Sequence, residues 1–173
     1  MTESELGMIA TGIIHHVNFL EIIRHPWFMS AFIAAIGAQM FKLLSARMHS
    51  GKWDFRRLLR SSGGMPSTHS ALVTALALAI CMTDGFDAPY SMVAVGLGAI
   101  VIIDAATLRR EAGEHAKLLN RIVEHLNTVN DEVRLEARRL EERLGHRRRE
   151  VAVGMLWGGL VAFAVCAVWD FWK

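Results

Sequence analysis

Pro89-Tyr-Ser-Met-Val-Ala-Val-Gly-Leu-Gly-Ala-Ile-Val-Ile-Ile103 carries no charge over fifteen residues and ends at Asp104. Read on to Ala106, the stretch is long enough as a helix to cross the hydrocarbon of a bilayer. Similar stretches recur on either side of it. The expected spans are 26–44, 65–82, 89–106 and 151–170. Pro26 and Pro66 open the first two, as befits a first-turn residue. Trp27, Trp157, Trp169 and Trp172 stand where an aromatic belt would stand. Gly96 and Gly98 would let a neighbouring helix approach. Residues 6–24 read as an amphipathic helix at the membrane interface or as a fifth span.

The charges are confined. Sixteen of the 19 Lys and Arg lie in 45–63 and 109–150, so a net charge of +2 says little about the molecule as a whole. Basic blocks beside apolar spans point to lipid headgroups or an anionic substrate, and no nucleic-acid partner is expected. The two blocks place their loops in the cytoplasm, and 83–88, with two acids and no base, outside. Segment 109–149 is too polar to span. Its apolar residues, from Leu118 through Ile122 and Leu126 to Leu140, recur in steps of three and four, which marks an amphipathic helix interrupted near 128–131. The expected fold is therefore all-α: one polytopic membrane bundle over 1–173, of four to five spans, with a charged cytoplasmic helical segment. Self-association through that segment stays open.

Two clusters carry candidate chemistry. In Gly63-Gly64-Met65-Pro66-Ser67-Thr68-His69-Ser70, glycines precede a helix start, where free N–H groups and the helix dipole favour a phosphate. Ser67 and Thr68 add hydroxyls, and His69 adds a group that exchanges a proton near neutrality. A capped turn with an interfacial histidine would look the same. In the second cluster, Asp104 ends an apolar run, where a carboxylate needs a partner, and Arg109 and Arg110 follow. Glu111 and His115 share a helical face. Arg109 and His115 lie about 120° apart on a continuous helix, and a bend at Gly113 would bring them together. A helix end pinned by surface ion pairs is the competing reading. Lys42 is either a snorkelling lysine or a phosphate contact. His15, His16, His25, His49, His125 and His146 have no partner spacing and read as surface or interface residues. Cys81 and Cys166 lack metal-ligand spacing and read as buried thiols, and no metal or cofactor is expected.

Together these residues resemble the divergent branch of the type-2 phosphatidic acid phosphatases, relatives of acid phosphatases and vanadium haloperoxidases. The similarity rests on Gly63 to Ala71, Asp104-Ala105, Arg109-Arg110-x-Ala112-Gly113 and Leu119-Asn120. It extends from Gln39 and Lys42 through Trp53-Asp54 to Leu144-Gly145-His146 and the last span. In the wider superfamily a Pro-Ser-x-His motif supplies a phosphate-binding Ser and an acid His. A third motif, Arg then five residues then His, supplies a phosphate-binding Arg and the nucleophile, which an Asp four residues later orients. The resemblance implies that Ser67 and Arg109 bind phosphate, with Gly64, Thr68, Arg110 and Lys42 beside them. It also implies that His69 protonates the leaving group and that His115 attacks phosphorus. Position 119 is Leu, so Asp104 or Glu111 would have to orient His115. Thr68 stands where the motif usually has glycine. The implied function is a membrane-bound phosphatase of lipid phosphates or diphosphates in the bacterial inner membrane, its site facing the cytoplasm. The alternatives are a catalytically silent lipid-phosphate binder or transporter, and a scaffold assembled through 114–146.

Overall fold

The computed structural model describes residues 19–51, 64–129, 139–142 and 144–171. Residues 6–18 of the helix expected over 6–24, most of the basic loop at 45–63, Gly63 and Trp172 fall outside them, as do the side chains of residues 49 and 50. Among the described residues six helices form: α1 Phe19–Arg24, α2 Pro26–Ser50, α3 Thr68–Asp84, α4 Pro89–Ala106, α5 Leu108–Val129 and α6 Arg148–Phe171. Among the described residues there is no strand. Among the described residues three helical stretches are long and apolar enough to cross a membrane: Pro26–Met48, the α4–α5 stretch Pro89–Val129 and Arg148–Phe171. α3 is shorter, at 17 residues, or about 25 Å at 1.5 Å per residue.

α3 is the centre, packed against α2, α4 and α6. Cross-contacts fix the directions. Trp27 Nε1, at the start of α2, donates to Thr83 Oγ1, at the end of α3, over 2.7 Å. Lys42, in the second half of α2, reaches the start of α3, so α2 and α3 are antiparallel. The Tyr90 hydroxyl donates to Asp84 across the α3–α4 turn, and α4 runs back. Ser67 N donates to Glu150 O over 2.9 Å, which starts α3 and α6 side by side and parallel. The start of α3, the end of α4, the start of α6 and the second half of α2 therefore meet at one end of the bundle.

The core is made of small side chains. Ala34, Ala38, Ala71, Ala75, Ala79, Val161, Ala162 and Cys166 form it, while Phe32, Phe41, Leu97, Ile100, Leu156, Leu160 and Phe163 point outward. In water that arrangement would leave an extended apolar surface uncovered. In a bilayer, exposing a phenylalanine has no hydrophobic cost, and helices associate through close packing of small residues. Gly37 lies under Trp157, whose Nε1 donates to Ala34 O over 3.0 Å. Gly98 faces Val73, whereas a Cβ at Gly96 would meet open space, so one of the two α4 glycines expected to admit a neighbour does so here. Cys81 and Cys166 are buried free thiols.

Two expected boundaries are corrected. α3 starts at Thr68 rather than at Met65–Pro66, because Ser67 is its N-cap: its side-chain oxygen accepts from Ser70 N, satisfying a donor that the first turn would otherwise leave orphaned. Segment 109–149 is not helical to its end. After α5, residues 139–142 and 144–147 are non-helical and run back along α5 as a strap. Asn120 holds the Leu140 backbone from both sides, and Gly145 takes a φ of 80°, in the left-handed region that favours glycine. These contacts satisfy backbone groups that a helix would have paired internally.

Candidate functional site

The site is assembled from the ends of α3, α4, α5 and α6, the second half of α2 and the strap. Lys42 extends from the interior of α2, and its Nζ donates to Thr68 Oγ1 over 3.0 Å. Thr68 is the first residue of α3, so the ammonium sits over a helix N-terminus, where free N–H groups and the dipole already favour an anion. Gly64, with φ of 99°, lets the chain turn into that terminus. Its pro-side-chain position lies 3.9 Å from the Lys42 stem. Ser67 sits behind this surface, fully buried, its Oγ accepting from both Ser70 N and Ser70 Oγ.

His69 follows one residue later and is exposed. Its electrostatic neighbours are Arg109, Lys42 and Asp104. Asp104, in the last turn of α4, accepts from Arg109 Nε over 2.7 Å, which answers the need of a carboxylate at the end of an apolar run for a partner.

The residue that completes the cluster is His146. The sequence reads it as a surface or interface residue, yet it is 3% exposed. The strap delivers it: His146 N donates to Ala105 O over 3.1 Å, and Gly145 lies so close to α5 that a Cβ there would come within 2.4 Å of Arg110 N. The His146 ring meets His69 edge to face, centroids 6.2 Å apart. Neither His146 nitrogen has a hydrogen-bond partner among the described residues. Burial first, then the charges of Lys42, His69 and Arg109, pushes its pKa down to about 4. The imidazole is thus neutral at neutral pH, with a lone pair available. Four residues on, Glu150 Oε2 accepts from Arg147 N at the start of α6, half of a capping box, and its carboxylate is an electrostatic neighbour of Lys42.

This burial has a pH signature. Unfolded, His146 binds a proton below about pH 6.5; folded, it does so only below about 4. Between the two values the unfolded chain binds more protons, so stability falls as pH drops from about 6.5 to about 4 and this contribution levels off below that. Melting of the detergent-solubilised protein across that range should show the slope, and His146→Gln should flatten it.

The other sequence candidates divide. Lys42, Gly64, Thr68, His69, Asp104 and Arg109 converge. His115 does not join them. α5 is uninterrupted from Leu108 to Val129, so the bend at Gly113 that would have brought His115 to Arg109 is absent. Gly113 instead faces the strap, 2.9 Å from Glu142 O measured to a built Cβ. His115 lies about 200° around the helix from it and is exposed. Arg110 and Glu111 are exposed on the same helix. The sequence marks His146 only by a glycine before it, a carboxylate four residues later and an apolar span beginning at Val151, none of which names its partner.

A helical bundle with an apolar exterior, a core of small side chains and two histidines and two cations gathered at one end defines an integral membrane protein. The chain belongs to the Divergent PAP2 family, which it matches over residues 23–161. It is 33% identical over 154 residues to the uncharacterized membrane protein YuiD of Bacillus subtilis (strain 168), covering 84% of this chain and 97% of that protein. No solved structure matches it.

Proposed function

We propose that this protein is a membrane-bound phosphatase of lipid phosphates or diphosphates in which His146, not His115, is the nucleophile. The observation that carries this reading is the pair of imidazoles 6.2 Å apart with Lys42 and Arg109 as neighbours of both. In-line displacement needs a nucleophile about 3–3.5 Å from the reacting atom and an acid on the leaving oxygen, and two rings at this separation can flank one tetrahedral phosphoryl group. The spacing from His146 to Glu150 also equals that between nucleophile and orienting carboxylate in the superfamily's third motif, with Glu in place of Asp.

The neutral His146 nitrogen attacks phosphorus. The bond to the leaving oxygen breaks, its electron pair goes to that oxygen, and His69 supplies the proton. Water, deprotonated by the now neutral His69, then attacks the phosphohistidine, releasing phosphate and restoring both histidines. Lys42, Arg109 and the N–H groups at the start of α3 offset the charge on the equatorial oxygens. The basic stretches orient this end towards the cytoplasm of a bacterial inner membrane, so a phosphatidyl or polyprenyl tail stays in the bilayer while its phosphate enters the site.

A catalytically silent binder is the second reading. The buried Ser67, occupied by capping, favours it, since a superfamily phosphate ligand is here used to start a helix. Purified protein in vesicles containing a phosphatidic acid or a polyprenyl diphosphate separates the two. The phosphatase releases phosphate and traps a phosphohistidine on rapid quenching. Saturable binding with no release and no trapped intermediate sinks the phosphatase reading in favour of the binder.

A further inference from the structure

We propose that Asn120, remote from the reacting groups, is a positioning residue: its side-chain amide docks the strap on α5 and so holds the His146 ring against His69. The inference rests on the reading of His146 as the reacting histidine.

His146 is not on a helix. It follows a non-helical segment, and an imidazole on such a segment needs external contacts to stay in register. Those contacts are on α5. Asn120 Nδ2 donates to Leu140 O over 3.0 Å and to Glu142 Oε1 over 2.8 Å, and its Oδ1 accepts from Leu140 N over 3.0 Å. One amide thus satisfies both backbone groups of Leu140, as a neighbouring strand would. Gly113 lies two turns earlier on the same face and lets Glu142 and Leu144 approach to distances at which a built Cβ would lie 2.9 and 3.1 Å from their carbonyl oxygens. Gly145 then presses on Arg110 and Arg109, and His146 N ends on Ala105 O.

The lengths agree. Six residues from Leu140 to His146 can reach at most about 20 Å, and twelve helical residues from Asn120 back to Leu108 span about 18 Å. Pinning Leu140 at Asn120 therefore leaves the strap just long enough to set His146 at the end of α4. With the Asn120 pin lost, the strap keeps its close approaches at Gly113 and Gly145 and the hydrogen bond from His146 N to Ala105 O, and the buried imidazole gains access to water.

The test uses the full chain in detergent, with carbethoxylation of histidines followed by mass spectrometry. In the native protein His146 should react slowly and the exposed His115 quickly. Asn120→Ala should raise the His146 rate at least tenfold and leave His115 unchanged. Gly113→Ala, which pushes the strap from a different point, should do the same and serves as a second route should Asn120→Ala fold poorly. In steady state both variants should lose kcat on the vesicle-borne lipid phosphate with KM little changed. His146 as protected in both variants as in the native chain overturns the proposal, as does lost protection with full kcat. If the native protein releases no phosphate, the phosphatase reading fails on its own, while the modification rates still decide whether Asn120 holds His146.

Discussion

His146→Ala should lower phosphate release from a vesicle-borne lipid phosphate by about a thousandfold or more, the scale seen when a nucleophile is removed and only binding and charge stabilisation remain. His115→Ala should leave it unchanged. The contrast is informative because one histidine is buried beside His69 and the other is exposed on the opposite side of α5 from the strap. His69→Ala should behave differently from either. As the acid it matters most when the departing oxygen is basic, so its loss should cost about a hundredfold or more on a lipid alkyl ester. On an aryl phosphate whose leaving group departs without a proton, the loss should be much smaller. Phosphohistidine should still form in His69→Ala with the activated substrate and never in His146→Ala. Release by His146→Ala at the native rate would remove that residue from the mechanism, and a matching loss in His115→Ala would return the role to the residue favoured by sequence spacing.

The sequence carries the fold because the relevant signals are local. An apolar run such as 89–103 has one low-energy state in lipid, and confining the bases to two blocks leaves few ways to thread the chain. Half of the site was legible for the same reason. Thr68 and His69 sit at a helix start that Pro66 announces two residues early, and Asp104 needs a partner that Arg109, five residues on, can supply. His146 was not legible as a partner because its proximity to His69 depends on contacts across long sequence separations: Ser67 with Glu150, His146 with Ala105, and Asn120 with Leu140. Periodicity also misled at the strap. The apolar steps through Leu140 and Leu144 continue the helical pattern of α5, but tertiary hydrogen bonds from Asn120 outweigh a propensity of a few tenths of a kcal/mol per residue. The spacing from Arg109 to His115 matched a motif in one dimension, and an uninterrupted helix keeps the pair apart in three.

The second large effect belongs to the seam between α3 and α6, which places the two histidines in register. At Gly158 a Cβ would lie 2.3 Å from Ala71 O, and at Gly154 it would lie 2.5 Å from Ser67 O. Both obstacles are backbone atoms, which cannot rotate away as a side-chain tip can. Gly158→Leu therefore has to push the helices apart. That loses packing along Ala71, Ala75, Ala162 and Cys166, and in lipid no hydrophobic force between the helices makes up the loss. We expect destabilisation of about 3 kcal/mol or more, at or beyond the upper end for overpacking, read as a large drop in melting temperature in detergent. Gly159→Leu is the control: its Cβ would meet only the flexible tip of Leu78 at 3.5 Å, and it should melt close to the native protein. Gly154→Ala tests the site through the same seam. Its methyl would press on the carbonyl of Ser67, the cap that starts the helix carrying His69, while α6 carries Glu150 and follows directly on His146. A small shift there changes the separation of the two imidazoles without touching either. Gly154→Ala should therefore lose activity out of proportion to its loss of stability, whereas Gly158→Leu should lose both together. Equal melting temperatures for Gly158→Leu and Gly159→Leu would show that the seam is looser than these distances require.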